Sequence, residues 1–165
     1  MISMERFKGL LLSFKYAFCG IKTAIVNERN MRIHIVCMIY MYSFLLLTDW
    51  FVLTRQDWAL IFIANAVVLM GELINTAIES VVDLVTSEKQ PLAKIAKDTA
   101  AGAVLVGAIF AVCIGISVLG QKEAFIKLFE YFSSHIASLI IFILSFAAAC
   151  VFMLCGFPKK KGKKE

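Results

Sequence analysis

The sequence contains no GxxxxGK[ST] phosphate loop, no GxGxxG turn and neither an HRD nor a DFG motif, which excludes the common nucleotide-binding frameworks. Its five cysteines (Cys19, Cys37, Cys113, Cys150 and Cys155) form no CxxC pair and lie mostly within apolar stretches, so they read as small packing residues. The early run GLLLSF is too short for the apolar core of a cleavable leader and is closed by Lys15, so no signal peptide is expected. There is no internal repeat and no segment that reads as a separate water-soluble domain. Charge is almost wholly missing from four long stretches, and that absence decides the class.

Of the 165 residues, 61% are hydrophobic, against about 45–50% in soluble domains, and the mean hydropathy is +0.84. A membrane span needs about 20 mostly apolar residues. Residues 33–53, 58–71 continuing toward Val85, 99–119 and 136–157 meet that requirement. Helices buried in a soluble bundle need polar outer faces, and these segments have almost none. The expected fold is therefore an all-α integral membrane protein with four spans.

Basic residues predict the orientation. Of the 17 Lys and Arg residues, all but Arg55, Lys122 and Lys127 precede the first span, lie between spans two and three, or follow span four. By the positive-inside rule, both termini and the middle loop face the cytoplasm. Residues 4–27 read as an amphipathic helix, with Phe7, Leu10, Leu11, Phe14 and Phe18 on one face and a ridge of Lys8, Lys15 and Lys22 on another. Such a helix can lie along anionic headgroups, pack on other helices by its apolar stripe, or do both. Pro91 marks the turn after span two, and QKEAFIKLFEYF predicts a short interfacial helix with Phe125, Phe129 and Phe132 toward lipid. The tail PKKKGKKE reads as a positive-inside anchor.

The second span breaks the apolar rule. Its run GELINTAIESVVD places Glu72, Glu79 and Asp83 within roughly 40° of one another around the helix, with Asn75 about 60° aside. A charge at the bilayer centre costs at least about 2.5–3.5 kcal/mol. Measured from Trp58, Glu72 lies about 21 Å into a hydrocarbon core of roughly 30 Å. The stripe thus begins in the cytoplasmic third and ends among the headgroups. Carboxylates could instead fasten the bundle by pairing with Lys or Arg, but no span supplies either at the depth of Glu72. A carboxylate facing a bundle interior without such a partner is suited to accept a proton or bind a metal.

Two clusters share that level: Glu28 with Arg29, Asn30 and Arg32 before span one, and Lys97 with Asp98 at the start of span three. Carboxylates with a lysine suit a magnesium–nucleotide complex, because Mg²⁺ takes one or two carboxylates plus phosphate oxygens while lysine neutralises phosphate.

The segments KYAFCGIKTAIVNERNMRIH, GELINTAIESVVD and AKIAKDTAAGAVL resemble the bacterial membrane diacylglycerol kinase family, and NERNMRIH and KDTAAGAVL its undecaprenol kinase branch. The likeness covers about residues 5–119, and it is the E-x-x-N-x-x-x-E-x-x-x-D helix followed by A-K-D that is specific. The resemblance implies a homotrimer with shared active sites, three spans and an N-terminal surface helix per subunit, transferring the γ-phosphoryl of ATP to a lipid hydroxyl with Mg²⁺. It implies Glu72 as catalytic base in contact with the lipid substrate, and Glu28 and Glu79 as metal and nucleotide ligands. Asn75, Asp83, Lys97 and Asp98 would contact or orient the nucleotide, as would Tyr16 and the turn Glu88, Lys89 and Gln90. Asn30 and Arg32 would lie on the lipid side.

The implied substrate is undecaprenol, with diacylglycerol as the alternative, in a bacterial cell membrane and with no nucleic-acid partner. A non-catalytic membrane protein, with the acidic stripe as an ion path, is the competing class. It predicts polar residues through the full depth of the bilayer, and the other spans have few. Two features depart from the family pattern. Gly9 stands where an early arginine is common, with Arg6 and Lys8 close by, and the span at 136–157 is additional. The chain divides accordingly into a kinase domain, 1–120, and a segment, 121–165, holding the interfacial helix, the extra span and the basic tail.

Overall fold

The computed structural model describes residues 4–156, the side chain of Glu5 excepted, and every regular element in that range is a helix. In chain order these are α1 (Met4–Asn27), α2 (Arg29–Leu47), α3 (Arg55–Val85), α4 (Pro91–Leu119), α5 (Lys122–Ser134) and α6 (Ile136–Cys155). The basic tail beyond Gly156 lies outside the described residues. α2, α3, α4 and α6 correspond to the four expected spans, and α5 to the short interfacial helix. α1 also meets the length and apolarity needed to cross a membrane.

Two boundaries differ from the apolar pattern. α2 stops at Leu47, and residues 48–54 form a connector although Phe51, Val52 and Leu53 are apolar. Thr54 supplies a competing helix start: its hydroxyl accepts from the Asp57 amide while the Asp57 carboxylate accepts from the Thr54 amide, a capping box that favours initiation at Arg55. The Gln121 side chain then ties the connector to the end of α4, accepting from the Val52 amide and donating to its carbonyl, each at 3.0 Å. α4 begins at Pro91 rather than near Thr99, because proline at the first helical position has no amide to leave unpaired. Lys94, Lys97 and Asp98 are consequently helical.

α3 and α4 make the most extensive helix pair. Ile61, Ala64, Val68, Glu72 and Asn75 are the buried residues of α3 and recur every three or four positions, which is one face of a helix. Small residues let the two backbones approach: a Cβ on Gly107 would meet Val67 Cγ1 at 3.4 Å, and one on Gly71 would meet Val104 Cγ2 at 3.6 Å. α6 packs on α2 through Tyr40, whose hydroxyl is 2.9 Å from Ser145 Oγ and whose ring meets Phe142 and Phe146 edge-on. One end of the bundle gathers Trp50, Phe51, Phe125 and Tyr131 in ring contacts, the composition of a membrane–water interface. At the other end lie the starts of α2 and α4 and the ends of α1, α3 and α6. α1 leaves the bundle there, every described side chain from Met4 to Thr23 being exposed and Ala24 the first buried.

Candidate active site

The acidic stripe of α3 passes from buried to exposed toward the end of the bundle where α1, α3 and α6 finish. Glu72 is 2% exposed and Asn75 7%, Glu79 is half-buried and Asp83 is exposed. This gradient follows from position: each helical turn carries the stripe about 5.4 Å nearer the rim.

At the buried end, Glu72 and Asn75 line a cavity of about 260 Å³ with Asn30, His34, Ala101 and Val104. His34 Nε2 is 3.4 Å from Glu72 Oε1, close but not aligned as a hydrogen bond, so Glu72 Oε1 and Asn75 Oδ1 are buried without a hydrogen-bond partner. An unsatisfied buried acceptor costs roughly 1–3 kcal/mol, more when charged, and such groups call for a function. Asn75 Nδ2 donates to Glu79 Oε1 at 3.0 Å, which holds the second carboxylate along the helix from the first. Glu28 stands at the break between α1 and α2, in extended backbone geometry with its amide bonded to Ala24 O. The charges of Glu28 and Glu79 both bear on Glu72 through space.

At the exposed end, a cleft of about 640 Å³ lies between the end of α3 and the start of α4, lined among others by Asp83, Glu88, Lys89, Gln90, Lys97 and Asp98. Lys97 Nζ donates to Asp83 Oδ1 at 2.6 Å, and Lys94 reaches to 4.0 Å from Asp98 one turn away. Thr86 Oγ1 accepts from the Glu88 amide and shapes the turn.

The structure therefore brings together most of the residues singled out by the acidic stripe, the charged clusters and the family resemblance: Asn30, Glu72 and Asn75 at one cavity, with the charges of Glu28 and Glu79 acting on Glu72, and the turn residues with Asp83, Lys97 and Asp98 at the cleft. Tyr16 sits on the exposed length of α1, outside both linings. Arg32 is buried, its guanidinium engaged by main-chain carbonyls of α1 and α6. His34 was not expected here. Its signal is faint, a histidine at the second position of the expected span 33–53, and only the crossing of α2 over α3 sets it against Glu72. A third, mostly apolar cavity of about 450 Å³ shares Ile33, His34 and Ala108 with the first and continues along α2, α3 and α4 toward Leu119.

Among the described residues no three His, Cys, Asp or Glu side chains form a ready metal cage. Mg²⁺ needs no such cage, since it keeps water and substrate oxygens and asks for only one or two carboxylates. Glu28 and Glu79, the two carboxylates whose charges bear on Glu72, are the residues that would hold it.

Residues 15–119 match the model of the family described as prokaryotic diacylglycerol kinase. A Synechocystis diacylglycerol kinase is 46% identical over 108 residues, 65% of this chain and 60% of that protein, so this chain spans less than two thirds of that relative's length. A Bacillus subtilis undecaprenol kinase is 40% identical over 112 residues, covering 67% of this chain and 87% of the relative. A Helicobacter pylori diacylglycerol kinase is 33% identical over 104 residues, 63% of this chain and 79% of the relative. No solved structure matches the chain. The matched region runs from the second half of α1 to the end of α4 and contains the cavity at Glu72, the apolar cavity that adjoins it at His34 and the cleft at Asp83 and Lys97, and by that match the chain belongs to the prokaryotic diacylglycerol kinase family.

Proposed function

We propose that the protein is an ATP-dependent lipid kinase that transfers the γ-phosphoryl group to undecaprenol at the cytoplasmic face of a bacterial cell membrane, giving undecaprenyl phosphate. The observation that carries the reading is Glu72: a carboxylate 2% exposed, with an unpartnered oxygen, at the wall of a cavity inside an apolar bundle. A lipid alcohol stays in the membrane and ATP stays in water, so the reaction needs a base at the depth where the two meet. The apolar cavity from His34 toward Leu119, which shares Ile33, His34 and Ala108 with the cavity at Glu72, supports a hydrocarbon chain lying in the bundle below the reacting hydroxyl.

In this reading Glu72 takes the proton of the lipid hydroxyl. The hydroxyl oxygen bonds to the γ-phosphorus as the bond from that phosphorus to the ADP oxygen breaks. Glu28 and Glu79 hold Mg²⁺, which supplies charge neutralisation at the phosphate oxygens when bound, and Asn75 keeps Glu79 oriented. Asp83, Lys97, Asp98 and the turn Glu88, Lys89 and Gln90 hold the nucleotide in the cleft. Phosphoryl transfer depends mainly on such positioning and electrostatic stabilisation. Tyr16 reaches a nucleotide only if α1 is brought over a site, and α1 standing clear of its own bundle supports a homotrimer with sites completed by a neighbouring subunit. Lys8, Lys15 and Lys22 favour α1 lying at the headgroups, since each would cost about 2.5–3.5 kcal/mol at the bilayer centre. With α1 on the surface, four spans put both termini on the cytoplasmic side.

Diacylglycerol, giving phosphatidic acid, is the second reading, favoured by the names of the Synechocystis and Helicobacter pylori relatives. Radiolabelled transfer from Mg-ATP to undecaprenol and to diacylglycerol, side by side in mixed micelles, separates the two. Label moving chiefly to undecaprenol upholds the first reading and label moving chiefly to diacylglycerol the second. Transfer to neither overturns both.

A further inference from the structure

The added helix α6 contributes no residue to the cavity at Glu72, to the apolar cavity that continues from His34 or to the cleft at Asp83 and Lys97, and none of its residues is buried. Its last turn is nevertheless tied into the catalytic end of the bundle. The tie is Arg32, 5% exposed. Arg32 Nη1 donates to Val26 O at 3.0 Å and Ile25 O at 3.3 Å, while Nε and Nη2 both donate to Met153 O at 3.4 Å. Ile25 and Val26 lie in the last turn of α1, and Met153 in the last turn of α6.

Terminal carbonyls of a helix lack intrahelical partners and sit at the negative end of its dipole. One guanidinium thus caps two helix ends at once, a task suited to its planar fork of donors. Gly156 makes room for it. Its φ of +62° is one that side-chain-bearing residues rarely adopt, and an added Cβ would fall 2.7 Å from Arg32 Cζ and 2.9 Å from Nη1.

Arg32 is also one helical turn from Glu28, its amide bonding Glu28 O at 3.4 Å. The carbonyls it grips immediately precede the Asn27–Glu28 break. We infer that Arg32 is a positioning residue through which α6 fixes the α1–α2 junction and so the placement of Glu28. The extra helix acts as a brace on the active site from outside it. The consequence for catalysis rests on the reading of Glu28 as a ligand of the metal–nucleotide complex.

The test uses the full chain in micelles with Gly156→Val, Arg32→Met and Arg32→Lys. Two readouts are taken: steady-state constants for Mg-ATP and for the lipid alcohol, and backbone amide exchange across the ends of α1 and α6. Gly156→Val and Arg32→Met are expected to raise the KM for Mg-ATP about tenfold, the lower end for loss of a group orienting a metal-binding side chain, with kcat and the lipid KM changed far less. Both variants should also speed exchange in the last turns of α1 and α6, and Arg32→Lys should fall between them and the wild type. Gly156→Val leaves Arg32 itself in place, so it carries the test if Arg32→Met does not fold. Unchanged exchange in α1 with Gly156→Val overturns the brace. Faster exchange with an unchanged KM for Mg-ATP overturns its link to Glu28. A rise confined to the lipid KM with Arg32→Met would make Arg32 a substrate contact instead. If the wild type transfers phosphate to no lipid alcohol, the functional reading falls, and the exchange data alone decide whether α6 is coupled to α1.

Discussion

The imidazole of His34 on α2 faces the carboxylate of Glu72 on α3, with Nε2 3.4 Å from Oε1 at the wall of the cavity they share. A small rotation of either side chain would align and shorten this approach into an ordinary hydrogen bond. Among the described residues Glu72 Oε1 has no hydrogen-bond donor, and Thr76 Oγ1 donates to the main-chain oxygen of Glu72 rather than to its carboxylate. If Glu72 is the base, His34 is placed to orient its carboxylate. His34→Ala should lower kcat by about tenfold, the scale on which partners that orient a catalytic group act, while the KM for Mg-ATP stays put. His34→Gln, which restores a donor, should recover part of the loss. Steady-state assays of the two variants check this, and equal loss in both would mean that packing rather than the donor matters.

Glu72→Gln separates the proton acceptor from the space it occupies. The amide is nearly isosteric with the carboxylate, so the bundle and the binding of Mg-ATP should survive. Turnover should fall by about 10²–10⁴, the usual contribution of a positioned general base. Transfer assays set beside equilibrium Mg-ATP binding test it. Turnover near the wild-type rate would remove the base assignment.

Helical periodicity alone made the stripe of Glu72, Asn75, Glu79 and Asp83 legible, because residues three, four, seven and eleven apart must share a face whatever the helix packs against. The long apolar helices were legible from another local property, runs of about 20 apolar residues. Partners that depend on chain crossing were not. The contact from Arg32 to Met153 spans 121 positions, and nothing near Arg32 in sequence indicates that a later helix ends beside it. His34 likewise gains its meaning only from α3. The boundary at Leu47 was obscured because Phe51, Val52 and Leu53 are as apolar as a span. What ends the helix there is the capping box of Thr54 and Asp57 and the hold of Gln121 on Val52, one local and one remote.

Glu79→Ala should weaken metal–nucleotide engagement. Asn75 donates to the same carboxylate at 3.0 Å, so Asn75→Ala should produce a smaller shift of the same kind, as Glu79 would keep its charge and lose its orientation. Titrating activity with magnesium at fixed ATP tests both. The expected order is a right-shifted curve for Asn75→Ala and a further shift for Glu79→Ala. Curves that coincide with the wild type would remove Glu79 from the metal site.

Lys97 and Asp83 allow a role in the fold to be told from a role in the site. Their 2.6 Å pair joins α3 to α4 at the cleft, with the lysine side chain 36% and the aspartate side chain 65% exposed. Exposed ion pairs contribute about 0–1 kcal/mol to stability, so the pair does little for a bundle whose helices already pack along Ala64, Val68 and Val104. Lys97→Met should leave the melting temperature nearly unchanged. If Lys97 serves phosphate oxygens in the cleft, the same variant should weaken Mg-ATP by about tenfold, the loss of roughly 1.4 kcal/mol of binding, and affinity in the wild type should fall as salt is raised. Asp83→Asn leaves Lys97 free of its ion-pair partner and keeps its charge, so its nucleotide affinity should remain closer to the wild type than that of Lys97→Met. Thermal melts and Mg-ATP titrations at two ionic strengths read out both properties. A large drop in melting temperature with unaltered nucleotide affinity would assign the pair to the fold and remove Lys97 from the cleft's chemistry.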